Sequence, residues 1–177
     1  MTYPHISGIC YESIVDGPGI RTAIFMSGCT HACPGCHNPL AQDSCAGTVA
    51  DDYMIQQIAN NIRNNCLING ITLTGGDPLF NPEATYHFLY SLRNKIGERW
   101  KDLTVWMYTG DIAEHFLWDN RQSNFLQLLL SFVDVVVDGP FVQELADKRL
   151  PFKGSSNQRI IDVPKSLHSH NIVEYTL

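Results

Sequence analysis

Positive charge is scarce in this sequence: 12 Lys and Arg stand against 18 Asp and Glu, a net charge of −6 over 177 residues. Holding nucleic acid through its phosphates needs a basic face, and the overall balance argues against that class of partner. Long apolar runs are also missing. The longest, Phe125 to Val137, is broken by Gln127, Ser131 and Asp134, well short of the ~18 apolar residues of a membrane span. The opening MTYPHISGICYE lacks a basic segment followed by an apolar one, so no signal peptide is expected and the expected location is the cytoplasm. There is no low-complexity segment and no repeat of 20–50 residues. Charged residues make up only 17% of the chain and hydrophobic residues 44%, which excludes a disordered polyelectrolyte and leaves enough apolar matter for a core. The length predicts a single domain over 1–177.

What is present is an alternation of strand and helix signals. Thr22 to Met26 reads as a strand closed by Ser27-Gly28, and a cysteine-rich loop follows from Cys29 to about Cys45. A helix is expected from Asp51 to about Asn65, capped by Asp51 or Asp52, with Met54, Ile55, Ile58 and Ile62 on one face. Ile71 to Thr74 is a second strand, closed by Gly75-Gly76. Asn81-Pro82-Glu83 then opens a helix that Gly97 ends. Leu103 to Tyr108 and Val133 to Val137 are further strands, ending at Thr109-Gly110 and Asp138-Gly139-Pro140, with one or two helices over about Asp111 to Leu130 between them. A shorter element spans Arg159 to Val163. Alternating strands and helices predict an α/β fold with mainly parallel strands. A full eight-unit barrel takes about 250 residues, so four to six strands in an open, partial (β/α) barrel or an open sheet are expected. The polar and glycine-rich signatures fall after the strands, on the edge where such folds bind ligands.

Six cysteines in a reducing compartment point to ligands or inert thiols rather than disulfides. Cys29, Cys33 and Cys36 form a Cys-x3-Cys-x2-Cys triplet. Soft thiolates favour iron–sulfur clusters or zinc, and closed sites of either kind take four ligands. Three thiolates leave one metal position open. Two other readings stand beside this one. Cys33-Pro34-Gly35-Cys36 has the form of a redox dithiol, and the triplet with His31, His37 or Cys45 has the donors for a structural zinc. Cys66 is expected to be a small core residue, Cys10 and Cys45 to lie near the metal site at most, and Trp100, Trp106 and Trp118 to pack in the core.

Five motifs follow in order: Asp16-Gly17-Pro18-Gly19-Ile20-Arg21, Cys29 to Asn38, Leu73-Thr74-Gly75-Gly76-Asp77-Pro78-Leu79, Val133 to Gly139, and Gly154-Ser155-Ser156-Asn157-Gln158. Together they resemble the radical S-adenosylmethionine superfamily, and within it the activating proteins of the anaerobic ribonucleoside-triphosphate reductase. The likeness spans roughly residues 8 to 162. It departs from the broader superfamily at Gly35, where an aromatic residue commonly stands, and at Asp77, where a glutamate is usual; both departures match the reductase-activating family.

The resemblance implies a partial barrel of the radical S-adenosylmethionine type. It implies one [4Fe–4S] cluster on Cys29, Cys33 and Cys36, with S-adenosyl-L-methionine at its open iron. It further implies removal of a glycine hydrogen atom from the reductase's large subunit, and reduced flavodoxin or ferredoxin as electron donor. Cofactor contacts are expected from Gly35, Cys36, His37, Asn38, Gly75, Gly76, Asp77, Thr109 and Asp138, with His37 the candidate to replace the missing aromatic at Gly35. Gly75 and Gly76 bring backbone close to a ligand because neither has a Cβ. Asp77 and Asp138 have turn roles as their alternative, Asn38 a loop-capping role, and Arg21 either binds an anion or sits in a solvated loop. Gly154 to Arg159 either covers the open edge or meets the partner. The competing functions are a small radical enzyme serving another glycyl radical protein or a metabolite, and a non-catalytic zinc or iron–sulfur binding module.

Overall fold

The computed structural model describes residues 2–118 and 124–177. In chain order the regular elements are β1 (His5–Ser13), β2 (Ile20–Met26), β3 (Thr48–Val49), α1 (Asp52–Asn64), β4 (Ile68–Gly75), α2 (Pro82–Ile96), β5 (Thr104–Tyr108), α3 (Ala113–Phe116), α4 (Asn124–Leu130), β6 (Val135–Asp138), β7 (Arg159–Asp162) and α5 (Val163–Ser169). Short 3-10 turns join several of them. The central stretch of the expected 111–130 helical region, residues 119–123, lies outside the described residues.

Local chemistry accounts for the helix boundaries. The Asp51 carboxylate accepts the Met54 N–H at 2.7 Å and starts α1; Ile55, Ile58, Ala59 and Ile62 form its buried face. The Asn81 side chain accepts the Ala84 N–H at 3.1 Å, Pro82 occupies the first turn of α2, and Gly97 at φ 69° ends it.

One seven-stranded sheet has the order β3-β1-β2-β4-β5-β6-β7 and does not close. The middle of it, β2, β4, β5 and β6, is parallel, with Thr72 opposite both Ala23 and Trp106, and Met107 opposite Val136. β1, β3 and β7 pair antiparallel at the two sides. The sheet therefore exceeds the expected four to six strands, and parallel pairing holds for its middle only. β1 escaped the sequence reading because it is an edge hairpin with irregular register at Ile6/Gly8 and a mixed burial pattern.

Side chains alternate across the sheet, as the pleat requires. Ile24, Met26, Ile71, Leu73, Val105, Met107 and Val136 join the main core with α1, α2 and α4. On the opposite face, Trp106, Val135, Val137 and Ile160 pack with Phe152 and Tyr175. Burial of both faces explains why β5 and β6 read as continuous apolar runs. Arg21 of β2 also points to this second face. Its fully buried guanidinium donates to Thr72 Oγ1 (2.8 Å), Ile71 O (2.8 Å), and Thr104 Oγ1 and O (2.9 and 2.8 Å), and stacks 5.4 Å from the Trp106 ring. Arg21 is thus neither a solvated loop residue nor free to bind an anion. Burial lowers its pKa to about 10, which still leaves it charged at neutral pH.

Candidate functional site

The parallel strands deliver their polar signatures to one edge. Beyond β2 the chain turns at Gly28, whose N–H donates to Ala41 O (2.8 Å); Cys29 N–H donates to Gln42 O (3.2 Å). Gly28 O in turn accepts the Asp77 N–H at 2.8 Å, so the base of the cysteine loop is stitched to the turn after β4. At the tip the Cys36 N–H donates to Cys33 O (3.2 Å), and Gly35 adopts φ 71°, a left-handed conformation that glycine takes without strain. Gly75 and Gly76 are required by close approach. A Cβ on Gly75 would stand 2.7 Å from Met26 O, and one on Gly76 2.6 Å from Gly28 O and 2.7 Å from Ala41 O.

A cavity of ≈ 510 Å³ opens above this edge, inside the roughly 300–1,000 Å³ range of small-molecule sites. Of the residues expected at the site, Cys29, Cys33, Cys36, His37, Asn38, Gly75, Gly76 and Thr109 line it. All three triplet cysteines are free and half-buried, in keeping with ligands accessible from one side. Three soft donors facing a cavity suit a metal group with one position left for a second ligand. Thiolates on a single tetrahedral zinc stand roughly 3.8 Å apart, given Zn–S bonds of about 2.3 Å. The triplet is more open than that: only Cys29, His31 and Asp77, among the described residues, gather three candidate ligand atoms within 4.8 Å of one another. Three thiolates facing one cavity are the donor set of a cluster with one metal position open.

Three of the expected residues do not line the cavity. Gly35 faces Gln143, whose side-chain amide occupies the space a Cβ would take, 2.7 Å from its oxygen. Asp77 is 4% exposed and fully engaged: Oδ1 accepts from Leu79 N–H (2.8 Å), and Oδ2 from Thr109 Oγ1 (2.9 Å), Gly110 N–H (3.0 Å) and His31 Nε2 (2.8 Å). Asp138 is 1% exposed; it accepts the Ala113 N–H (2.9 Å) and two donors of Arg159, Nε at 3.0 Å and Nη2. Both carboxylates are spent on joining elements, which is the turn role set beside their ligand role. The Thr109 hydroxyl is likewise taken, donating to Asp77 and accepting the Asp111 N–H (3.0 Å).

The electrostatics follow from these contacts. The hydrogen bond to Asp77 raises the His31 pKa above the ordinary imidazole range, outweighing partial burial. Burial pushes the Cys29 thiol up, against the pull of the His31 backbone N–H. Arg159 also grips Glu114 through both guanidinium nitrogens (2.8 and 2.6 Å) and holds that carboxyl down at about 2.

Several cavity residues escaped sequence reasoning. Tyr108 ends β5 facing the second side of the sheet, and its hydroxyl donates to Phe152 O (2.9 Å). Phe141, Phe152 and Lys153 come from the segment between β6 and β7, beside Gln158 of the motif expected to cover the open edge or meet the partner. Gln158 accepts from Gly154 N–H (2.8 Å) and donates to Gly139 O (3.0 Å), so the Gly154–Gln158 motif folds over the open edge as a tied cover. Phe141 lies 5.4 Å from His37 ring to ring. The aromatic-glycine pattern around Phe141 and Phe152 was a usable signal for the rest of the segment. Among the other cysteines, Cys66 is exposed rather than a core residue, because α1 ends before it, and Cys10 and Cys45 are exposed too. Of the tryptophans only Trp106 is fully buried; Trp100 and Trp118 pack at the margin of the core.

The family described as "4Fe-4S single cluster domain" matches residues 15–161. An anaerobic ribonucleoside-triphosphate reductase-activating protein of Haemophilus influenzae is 37% identical over 150 residues, covering 83% of this chain and 90% of the relative. The protein of that name from Escherichia coli K12 is 36% identical over 146 residues (82% and 90%), and that of Enterobacteria phage T4 33% over 146 residues (82% and 86%). The match to the cluster domain spans the triplet, the two glycines after β4 and the cover over the open edge. The chain belongs to the family of anaerobic ribonucleoside-triphosphate reductase-activating proteins.

Proposed function

We propose that this chain is a radical S-adenosylmethionine activase, which installs a glycyl radical on the large subunit of an anaerobic ribonucleoside-triphosphate reductase. The carrying observation is the triplet's arrangement: three free, half-buried thiols facing the same cavity as Gly75, Gly76 and Thr109. In this reading the seven-stranded sheet is the partial barrel of that superfamily, one domain over 1–177. Cys29, Cys33 and Cys36 hold one [4Fe–4S] cluster, and S-adenosylmethionine fills the cavity.

When bound, the cluster and S-adenosylmethionine supply the one-electron chemistry that removes a hydrogen atom from a glycine of the partner. The residues of the chain place and shield that chemistry. Gly75 and Gly76 present bare backbone at the end of β4, where a carbonyl would be available to the ammonium of the methionine moiety. The Asn38 side chain makes no hydrogen bond among the described residues and lines the cavity, so it is available to the ligand. His37 and Phe141 form the aromatic wall that Gly35 does not provide, suited to an adenine face. Gly35, Asp77 and Asp138 act through the backbone they hold. No general acid or base is required. The donor of the electron is reduced flavodoxin or ferredoxin, in the cytoplasm; no described helix is long and apolar enough to cross a membrane.

The test is anaerobic. Protein reconstituted with iron and sulfide, reduced with dithionite and given S-adenosylmethionine yields 5′-deoxyadenosine by chromatography. Cys33→Ala yields none, and Cys66→Ala matches wild type. Wild-type turnover in Cys33→Ala contradicts the assignment. A bound zinc, no acid-labile sulfide and no cleavage in wild type favour the non-catalytic binding module.

A further inference from the structure

His31 sits between two cluster-loop cysteines, and the proposed function gives it no part. Its Nε2 lies 2.8 Å from Asp77 Oδ2, and its side chain is 22% exposed. Asp77 is held rigidly by donors from three directions: the Leu79 and Gly110 backbone and the Thr109 hydroxyl. One wall of the His31 seat is Gly110. A Cβ there would stand 2.4 Å from His31 Cδ2, 2.6 Å from Cγ and 2.7 Å from Nε2, in steric clash with the imidazole ring. Gly110 does not adopt a positive φ, so backbone conformation does not demand glycine at this position. What demands it is the ring.

We propose that His31 is a positioning residue: it bolts the cysteine loop to the C-terminal ends of β4 and β5, through Asp77 and the seat on Gly110, before any metal binds. The bolt joins the loop that carries the thiols to the strand ends that line the cavity. It therefore fixes the offset between the two halves of the site. The loop itself has little else to hold its tip. Its base is stitched by Gly28 and Cys29, whereas from Cys29 to Cys36 there is one internal backbone-to-backbone hydrogen bond, Cys36 N–H to Cys33 O, among the described residues. Ala32, directly after His31, adopts φ 48°, a left-handed conformation that a non-glycine residue keeps only when its surroundings impose it.

The significance of the loop as a cluster holder rests on the proposed function, but the bolt is a property of the metal-free chain and is tested there. The measurement is amide hydrogen exchange, read by mass spectrometry on peptides covering residues 28–42, with peptides from α2 and β4 as internal references. In wild type the hydrogen-bonded amides of these peptides, those of Gly28, Cys29, Cys36 and Ala41, are protected. In His31→Ala they exchange about tenfold faster, the size expected for one lost hydrogen bond of about 1.4 kcal/mol, while the reference peptides are unchanged. His31→Gln, whose amide N–H reaches the position of Nε2, restores protection. Gly110→Ala reproduces His31→Ala because its methyl takes the ring's place. The double variant exchanges no faster than either single one, since with the ring gone the methyl has nothing to displace.

The inference is overturned if the wild-type loop is already unprotected without metal, if His31→Ala exchanges like wild type, or if the Gly110→Ala effect adds to that of His31→Ala. Loss of protection in the reference peptides as well overturns it in favour of a general scaffold role. These results are separable from failure of the proposed function, which shows as absent 5′-deoxyadenosine in a reconstituted wild type whose metal-free loop is protected.

Discussion

Arg159 closes the sheet at β7 by gripping Glu114 of α3 and Asp138 of β6 at once. The pH dependence this creates has a definite sign. Glu114 is depressed from 4.5 to about 2, so its contribution is fully present above pH 4.5 and is lost as the pH falls towards about 2. Glu114→Gln should lower the urea midpoint at pH 7 and flatten its fall across that acid window, with the two proteins converging near pH 2. Parallel curves throughout would show that the pair contributes nothing on this exposed side chain. At this scale the sequence was legible where spacing alone carries meaning, as in the triplet. It left two readings open where one residue type serves two purposes. Asp77 and Asp138 follow strands in ligand-like positions, yet their oxygens are consumed by Gly110, Thr109, Ala113 and Arg159, partners 21–33 residues away that no local pattern announces. Arg21 shows the reverse: a cation beside a glycine loop that proves to be a buried strut under Trp106.

Elements were easier to read than their contacts. α1 and α2 announced themselves through Asp51, Asn81-Pro82 and apolar spacing, and both caps form as the chemistry requires. β2, β4, β5 and β6 were legible because strands buried on both faces are apolar throughout. β1 and β3 were not, since an antiparallel edge pair is only partly buried and carries no β/α punctuation. The joint between elements at Gly76 makes its own prediction. A methyl there meets two backbone oxygens, Gly28 O at 2.6 Å and Ala41 O at 2.7 Å, and neither can swing aside as a side chain would. Gly76→Ala should therefore push the cysteine loop off the end of β4. Iron and sulfide per chain after reconstitution fall well below wild type while the far-ultraviolet circular dichroism is kept. Full cluster content in this variant would mean that the loop does not need its stitching to Asp77 and Ala41.

For the whole molecule, the open sheet is the feature that joins fold to function. The seven strands do not close into a barrel, and the segment ending at Gln158 is tied across the edge they leave. A cavity reached from one side suits a cofactor that must act on a loop of another protein. The most direct measurement is electron paramagnetic resonance of the anaerobic reductase incubated with reduced, reconstituted protein and S-adenosylmethionine. A glycyl radical doublet should grow on the reductase with the wild-type chain and be absent with Cys29→Ala, Cys33→Ala or Cys36→Ala. An equal signal with any of the three variants, or 5′-deoxyadenosine released without a radical on the reductase, would contradict the account.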